Sequence, residues 1–444
     1  MQENNNLNAN PNRRIIHEND IEDENFEFPK FTQEMRKDYT ILIPNMLDIH
    51  MSLFEGILNM SGYHVEIMHN EGPEVVTEGL KYVHNDTCYP ALLVIGQFID
   101  NLNHRDDLDR VVCLITQTGG GCRASNYLHL LRKALIKAGY GYIPVVSLNM
   151  SNLEKDSGFK YTPKLIFKLA AALTYGDLIM YLNNKCRTYE KEKGATQRLT
   201  EKWVKELSNQ FANGKGTSYN AQKKNCFSIA KSYDQLDLDL SHKKPKVGIV
   251  GEIYIKYAAL GNNHLEDFLV SQDAEAMVPG LYGFMLYCFW NNIYDTEIYG
   301  RWKKKALITK FLLWFMQRRE KIMIKSMEKT KFTPMKLFRE TKEMSEGVIH
   351  HGTKMGEGWL LTAEMMELQE IGYENIICAQ PFGCLPNHIC GKGVMKKIKS
   401  LHPDANIVAI DYDPSATKVN QENRIKLMLA IAKERIKDDE KAEL

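Results

Sequence analysis

A short apolar run that ends in a tight loop, at residues 376–386, constrains the fold more than any other stretch of the chain. The run Ile-Ile-Cys-Ala at 376–379 is typical of a buried strand, and the loop that follows reads Gln-Pro-Phe-Gly-Cys-Leu-Pro. Pro and Gly end strands in tight turns. The pattern therefore predicts a strand whose carboxyl end is followed by a loop that holds one thiol, Cys384.

Two other segments place a cysteine in a similar setting. Cys88 lies in Asp-Thr-Cys-Tyr-Pro at 86–90, and Cys122 lies in Thr-Gly-Gly-Gly-Cys-Arg at 118–123. Cysteines in loops beside Gly and Pro are poorly placed for core packing and well placed to bind a metal cluster. We therefore expect these three thiols to be functional.

Strands alternate with helices along most of the chain. Strands are predicted at 39–46, 63–68, 111–116, 143–148, 246–251, 375–379 and 406–411. Helices are predicted at 51–60, 90–102, 124–138, 301–328, 359–371, 389–401 and 420–437. This alternation predicts an α/β fold with open parallel sheets.

A polar helical stretch at 163–240 separates the two α/β regions. The predicted organisation is a disordered leader (1–37), an N-terminal α/β domain (38–155), a helical connector (156–245), a C-terminal α/β domain (246–432) and a charged tail (433–444). The leader is rich in Asn, Asp and Glu and has no apolar core, so it is not a secretory signal peptide.

Composition narrows the class of protein. The chain has 57 basic and 56 acidic residues, which argues against a general nucleic-acid or membrane-surface binder. It contains no run of eighteen apolar residues, so a transmembrane helix is not expected. Nine cysteines, an odd number, favour reduced or metal-bound thiols in the cytoplasm over a disulfide framework.

The three loop cysteines each precede a predicted helix. A helix N-terminus carries unpaired N–H groups and a partial positive charge, which favours the thiolate form of a nearby cysteine. In an open α/β sheet, ligands bind outside the carboxyl ends of the strands, where these thiols would lie. Gly119, Gly120 and Gly121 would let the backbone approach a bulky cofactor. We expect the same of Gly383, which adjoins Cys384.

Other interpretations stay open for several of these residues. The chain has neither the C-x₂-C pairs of zinc sites nor the C-x₂-C-x₂-C run of ferredoxins, so ligands would have to come from separate loops. Further ligand candidates are Cys378 and, after it, Cys186 and Cys390; Cys378 lies inside a predicted strand, so it is either a ligand or a core residue. Cys113, Cys226 and Cys288 are expected to be core residues.

Two polar residues are weak catalytic candidates. Glu252, just after the strand that ends at Gly251, is either an acid–base group or a solvated loop carboxylate. His388 and Asn387 either contact a substrate or cap the start of a helix. The triple glycine fits neither a P-loop nor G-x-G-x-x-G, so it does not predict a nucleotide site.

Five segments of the chain resemble the 2-hydroxyacyl-CoA dehydratase superfamily. The closer likeness is to its branch of CoA-substrate-specific enzyme activases and double-cubane-cluster proteins, and it extends over about 39–432. The segments are DTCYP (86–90), QTGGGCRASNY (117–127), VGEIY (250–254), CAQPFGCLPNH (378–388) and IDYDPS (410–415).

The resemblance implies a fold, a cofactor and a partner. The fold would be two Rossmann-like domains with an iron–sulfur cluster at the interdomain cleft. An ATP-hydrolysing activator would supply low-potential electrons, so that a 2-hydroxyacyl-CoA thioester loses water or a small molecule is reduced. Proteins of this kind are usually homodimers or heterodimers and work under anaerobic conditions, and the dehydratases are lyases.

The resemblance also implies a ligand set. Cys88, Cys122 and Cys384 would bind the cluster, with Cys378 next. A single [4Fe–4S] cluster is expected rather than a double cubane, which needs six thiols. The chain lacks an ATPase motif, so the activator would be a separate protein.

Two other functions remain as alternatives. One is a non-catalytic electron-transfer or scaffold subunit, whose cluster never meets a substrate. The other is a metal-free enzyme that uses Cys122 or Cys384 as a nucleophile. Neither nucleic acid nor a membrane is expected as a partner.

Overall fold

A parallel sheet lies at the centre of each of the two units into which the chain divides. The computed structural model describes residues 16, 19–20, 26–84, 86–117, 121–148, 158–159, 162–300 and 303–442. The first unit comprises Met1–Asn45 and Leu58–Tyr161, and the second comprises Met46–Ile57 and Thr162–Leu444.

The sheet of the first unit has the strand order β2-β1-β3-β4, and every pairing is parallel. Its strands are β1 (Thr40–Pro44), β2 (His64–Met68), β3 (Val111–Thr116) and β4 (Val145–Leu148). Its helices are α1 (Asp48–Met60), which crosses the boundary between the units, α2 (Pro73–Tyr82), α3 (Tyr89–Asn103) and α4 (Tyr127–Lys137).

The sheet of the second unit has the order β6-β5-β7-β8 and is also parallel throughout. Its strands are β5 (Lys246–Gly251), β6 (Glu275–Met277), β7 (Asn375–Pro381) and β8 (Asn406–Tyr412). All seven residues of β7 are buried, as expected for a strand of a parallel sheet covered on both faces.

Helices make up most of the rest of the second unit. Between β4 and β5 these are α5 (Pro163–Arg187), α6 (Ala195–Ala212) and α7 (Tyr219–Asp234). Between β5 and β7 they are α8 (Ile253–Tyr257), α9 (Ala259–Asn262), α10 (Leu265–Ser271), α11 (Leu281–Tyr299), α12 (Lys303–Met327), α13 (Phe338–Met344) and α14 (Trp359–Glu370). The last three are α15 (Leu385–Cys390), α16 (Met395–Leu401) and α17 (Lys418–Ala442).

The α/β architecture with parallel sheets confirms the fold class expected from the alternation of strands and helices. The seven predicted strands are all present, with bounds within two residues of those expected. The helix expected at 389–401 is instead α15, a 3₁₀ turn (Lys392–Val394) and α16, because Gly391 and Gly393 interrupt it. The last helix continues to Ala442, so most of the charged tail is helical, and most of the expected leader lies outside the described residues.

Helix α5 is the one described helix that is long and apolar enough to cross a membrane. Of its most apolar window, 78% is buried against the rest of the protein. A membrane-spanning helix would present this surface to lipid, so the burial marks α5 as a core helix of the second unit.

The crossing of α2 and α3 depends on two glycines that let the helix backbones meet. A Cβ atom at Gly96 would lie 2.1 Å from the carbonyl oxygen of Val75 and 3.0 Å from the Cα atom of Gly79. We expect Gly96→Ala to lower the free energy of unfolding by about 2–3 kcal/mol, because the helices must separate.

The matched control for this substitution is Gly283→Ala in α11. A Cβ atom there would meet no other atom within 4 Å, so this substitution should be neutral or stabilising by about 0.5–1 kcal/mol. Urea unfolding of the two variants tests the comparison. Equal effects would contradict the prediction, because they would show that the crossing of α2 and α3 accommodates the added methyl group without loss of stability.

Candidate functional site

Each sheet has a topological switch point at which ligands of open α/β proteins bind. The chain moves from β1 outward to β2 and then to the other side of β1 with β3, and it repeats this course with β5, β6 and β7. The carboxyl ends of β1 and β3, and of β5 and β7, therefore flank a crevice in their own unit. The candidate residues are described below for each unit separately.

Each of the three loop cysteines immediately precedes a helix. Cys88 is the N-cap residue of α3 and Cys384 is that of α15, while Cys122 precedes the 3₁₀ turn Arg123–Asn126 that leads into α4. Such positions face the unpaired N–H groups of a first helical turn. The expectation that these thiols precede helices is therefore confirmed, and for Cys384 the helix starts four residues earlier than predicted.

In the first unit, the thiol of Cys88 contacts the helix that follows Cys122. Its Sγ atom lies 3.2 Å from the hydroxyl oxygen of Tyr127, the first residue of α4. Cys88 is almost completely buried, whereas Cys122 is partly exposed. The start of α3 and the start of α4 thus lie side by side, which brings the two cysteine segments to the same region of this unit.

Polar side chains fix the turn that carries Cys122. Ser125 donates hydrogen bonds from both its backbone N–H and its hydroxyl group to the carbonyl oxygen of Cys122, at 3.1 and 2.7 Å. Gln117, at the end of β3, donates to the carbonyl oxygen of Ser125 and accepts from the hydroxyl group of Ser147 in β4. Of the glycines proposed to approach a cofactor, Gly119 and Gly120 lie outside the described residues.

In the second unit, a left-handed glycine directs the chain from β7 into α15. Gly383 has a φ of 71°, a conformation that L side chains rarely adopt. The N–H of Cys384 bonds back to the carbonyl oxygen of Pro381, and the carbonyl oxygen of Cys384 accepts from the N–H of His388. Gly383 therefore has a conformational role in placing Cys384, beside the cofactor role expected from the sequence.

Cys384 is almost completely buried, as is Cys88, contrary to the expectation that these loop cysteines are poorly placed for packing, and exposed apolar side chains lie near it in the chain. Phe382, Leu385 and Ile389 are each at least half exposed, and His388 between them is exposed too. The exposed position of His388 is compatible with contact to a substrate, and its side chain does not cap α15.

The other candidate ligands are buried inside secondary structure. Cys378, in β7, donates from its thiol to the Oδ1 atom of Asn387, which in turn donates to the carbonyl oxygen of Ala379. Burial raises the pKa of the Cys378, Cys390 and Cys186 thiols to about 12. These environments disfavour the thiolate and favour the core alternative for Cys378.

Glu252 follows β5 directly, at the switch point of the second sheet, and it lies close to a second carboxyl group. It caps α8 by accepting from the N–H of Ile255 at 3.0 Å, while the buried Glu357 accepts from the N–H of Ile253 at 2.8 Å. Burial and the neighbouring Glu357 raise the pKa of Glu252 to about 8, and burial raises that of Glu357. Glu252 is therefore protonated near neutral pH and can donate a proton.

We expect Glu252→Gln to stabilise the protein at pH 8 and to have little effect at pH 4.5. The folded state prefers protonated Glu252. The contribution of this group to the free energy of unfolding is therefore fully present below its ordinary pKa of 4.5 and is lost as the pH rises towards 8. Since Gln cannot ionise, the variant escapes this loss and should gain on the order of 1–3 kcal/mol at pH 8. Urea unfolding at several pH values measures the difference.

The exposed Glu370→Gln is the control for the removal of one carboxylate. It should change the stability little at either pH. A pH-independent effect of Glu252→Gln would contradict the raised pKa.

No group of three or more His, Cys, Asp or Glu side chains that could hold a metal ion occurs in the described part of the chain. This finding concerns a single ion; a [4Fe–4S] cluster binds each cysteine through a different iron atom, so its ligands are spaced more widely. As a donor set, three thiols at helix starts suit such a cluster. In comparisons with known proteins, neither a protein-family model nor a curated protein matches the chain.

Proposed function

We propose that the protein is an iron–sulfur protein of the 2-hydroxyacyl-CoA dehydratase type. The cluster would lie in the cleft between the two α/β domains, with Cys88, Cys122 and Cys384 as ligands. A separate ATP-hydrolysing activator would supply its electrons. The observation that carries the proposal is the position of these three thiols, each directly before a helix in a parallel α/β unit.

The helix starts make the thiols suitable ligands. Thiolate, rather than thiol, binds iron, and the N–H groups of a first helical turn stabilise that charge. Buried Cys378 lacks this setting, so the proposal rests on three cysteines and takes Cys378 as the next candidate. When bound, the cluster would lend one electron at low potential to the substrate and regain it as the unsaturated product forms, because the loss of water is redox-neutral.

The chain itself would exclude water and supply a proton. Cys384 is almost completely buried, which would keep water from its thiol and preserve a low dielectric there. Glu252, with its pKa raised to about 8, would protonate the hydroxyl group that leaves the 2-hydroxyacyl thioester as water. Burial, together with Glu357 beside it, keeps that proton bound at neutral pH.

Cysteine substitution with anaerobic measurement of iron and sulfide tests the ligand set. Cys88→Ala, Cys122→Ala and Cys384→Ala should each reduce both contents by more than half, because a cluster that loses one thiolate ligand is released more readily. Cys113→Ala and Cys226→Ala are matched controls, since both residues are fully buried and neither precedes a helix. Both controls should retain their iron.

Circular dichroism of every variant separates loss of the cluster from loss of the fold. An equal loss of iron in the three proposed ligand variants and in the two controls would contradict the ligand set. Activity is tested separately, by mixing the reduced protein with an activator, ATP and several 2-hydroxyacyl-CoA thioesters under anaerobic conditions. The expected product is the unsaturated acyl-CoA.

A further inference from the structure

The solvent side of α12 is apolar over its first half. Leu307, Ile308, Phe311 and Trp314 are 72%, 63%, 54% and 51% exposed. The opposite side of the same turns is buried in the second unit. A helix that packs on one side normally presents polar residues on the other, so this surface is unusual for a protein exposed only to water.

The apolar surface continues onto the start of α5 in the same unit. Phe167 packs against Phe315 of α12 with ring centroids 4.9 Å apart, and Ile166 beside it is exposed as well. Six side chains therefore form one surface, which we name the α12 apolar face. Its members are Ile166, Phe167, Leu307, Ile308, Phe311 and Trp314.

Cations flank this face along α12. Between residues 303 and 319 the sequence has six basic residues and no acidic one. Lys303, Lys304, Lys305, Lys310 and Arg318 are exposed, and the guanidinium group of Arg318 lies 5.3 Å from the centre of the Trp314 ring.

The start of α5 adds further positive charge. Burial and the nearby Lys164 lower the pKa of Lys168. A like-charged neighbour that lowers a lysine pKa indicates a locally positive field. Lys164 and Lys168 thus add cations on α5 to those on α12.

We propose that the α12 apolar face binds the surface of a membrane that contains anionic lipids. Exposed Trp, Phe, Leu and Ile on one face of a helix, with Lys and Arg beside them, are the pattern of a helix that lies in the interface of a bilayer. The apolar side chains would enter the acyl boundary, and the lysines would contact anionic headgroups. No membrane partner was expected from the balanced charge of the whole chain. That balance conceals the local excess of positive charge along α12.

Charge favours lipid over a second copy of this chain. Two α12 apolar faces brought together would place the cations of both copies side by side, and like charges in an interface oppose association. The face is also convex, since it is the outer side of a helix, and it suits a deformable lipid surface.

Vesicle sedimentation of the full chain tests the proposal. We expect the protein to bind vesicles of phosphatidylcholine with about one third phosphatidylglycerol, and to bind vesicles of phosphatidylcholine alone much more weakly. Replacing Lys303, Lys304 and Lys305 together by Gln should weaken binding to the anionic vesicles about a hundredfold, at roughly fivefold for each lysine. Phe311→Ser combined with Trp314→Ser should weaken it at least about tenfold.

Matched controls use other exposed helices of the same unit. Replacing Lys396, Lys397 and Lys399 of α16 by Gln removes the same charge, and Leu427→Ser with Ile431→Ser in α17 removes exposed apolar side chains. Both controls should bind like the unaltered protein. No binding to anionic vesicles, or equal losses in the controls, would overturn the proposal.

Sedimentation velocity without lipid examines the competing occupant. Concentration-dependent dimers that Phe311→Ser with Trp314→Ser abolishes would assign the α12 apolar face to a second copy and overturn the lipid proposal. If the unaltered protein and the Phe311→Ser with Trp314→Ser variant are both monomers, and the unaltered protein binds anionic vesicles, the lipid proposal is supported. The measurement does not depend on a cluster, so it is independent of the proposed function.

Discussion

Asp177→Ala should lower the free energy of unfolding of the second unit by about 3–5 kcal/mol. Asp177, in the middle of α5, is almost completely buried and acts as a cap for α11. Its Oδ1 atom accepts from the N–H of Leu281 at 3.0 Å and lies 2.7 Å from Nε2 of His50, and its Oδ2 atom accepts from the N–H of Tyr282 at 2.8 Å. Alanine would leave these three groups buried without a partner.

Hydrogen exchange localises the expected effect. Peptides from the start of α11 should lose protection in Asp177→Ala, because the first N–H groups of that helix lose their acceptor. Peptides from β1 and β3 of the first unit serve as an internal control and should keep their protection. Asp177→Asn retains one acceptor oxygen and should cost less. Uniform loss of protection in both units would contradict this assignment.

The second large effect is expected from Lys256→Met. Lys256 and Glu364 form a buried ion pair in which Nζ lies 3.0 Å from both carboxylate oxygens. Breaking a buried pair leaves a charge without compensation and costs about 3–5 kcal/mol. We expect a loss of that size at pH 8, measured by urea unfolding.

The loss should be smaller at acidic pH. Burial already raises the pKa of Glu364, against the opposing effect of Lys256, and removal of the lysine raises it further. Glu364 in the variant can then take up a proton, so its contribution to stability is present at low pH and is lost as the pH rises through its folded-state pKa. The double substitution Lys256→Met with Glu364→Leu should recover most of the loss.

An exposed ion pair provides the control. Lys392 and Asp411 are 3.3 Å apart and each is nearly half exposed. Lys392→Met should therefore cost less than about 1 kcal/mol. If Lys256→Met cost no more than this, the buried pair would contribute little to the stability of the second unit.

The strands were predictable because their ends are marked locally. Gly251 ends β5, while Pro381 and Gly383 end β7 and lead into the turn before Cys384, so the chemistry of a few adjacent residues decides each boundary. Strand β6 was not predicted, since three residues carry no measurable period. Helix α11 was also missed, because its first half is apolar on all sides and periodicity cannot identify a buried helix.

The thiol positions followed from the sequence, but their surroundings did not. Pro90 and Pro386 mark first helical turns next to Cys88 and Cys384, a local signal. The groups that determine proton affinity come from far away in the chain, as Glu357 does for Glu252. A single sequence contains no information on such contacts, whereas Gln117 and Ser125 at least lie within the motif around Cys122.

Low-temperature EPR of the protein purified without oxygen and then reduced tests whether thiols at helix starts hold an iron–sulfur cluster. Iron and acid-labile sulfide are measured on the same sample. We expect a brown protein with about four iron and four sulfide per chain and a signal from a reduced [4Fe–4S] cluster. A folded, colourless protein without iron or sulfide would contradict it.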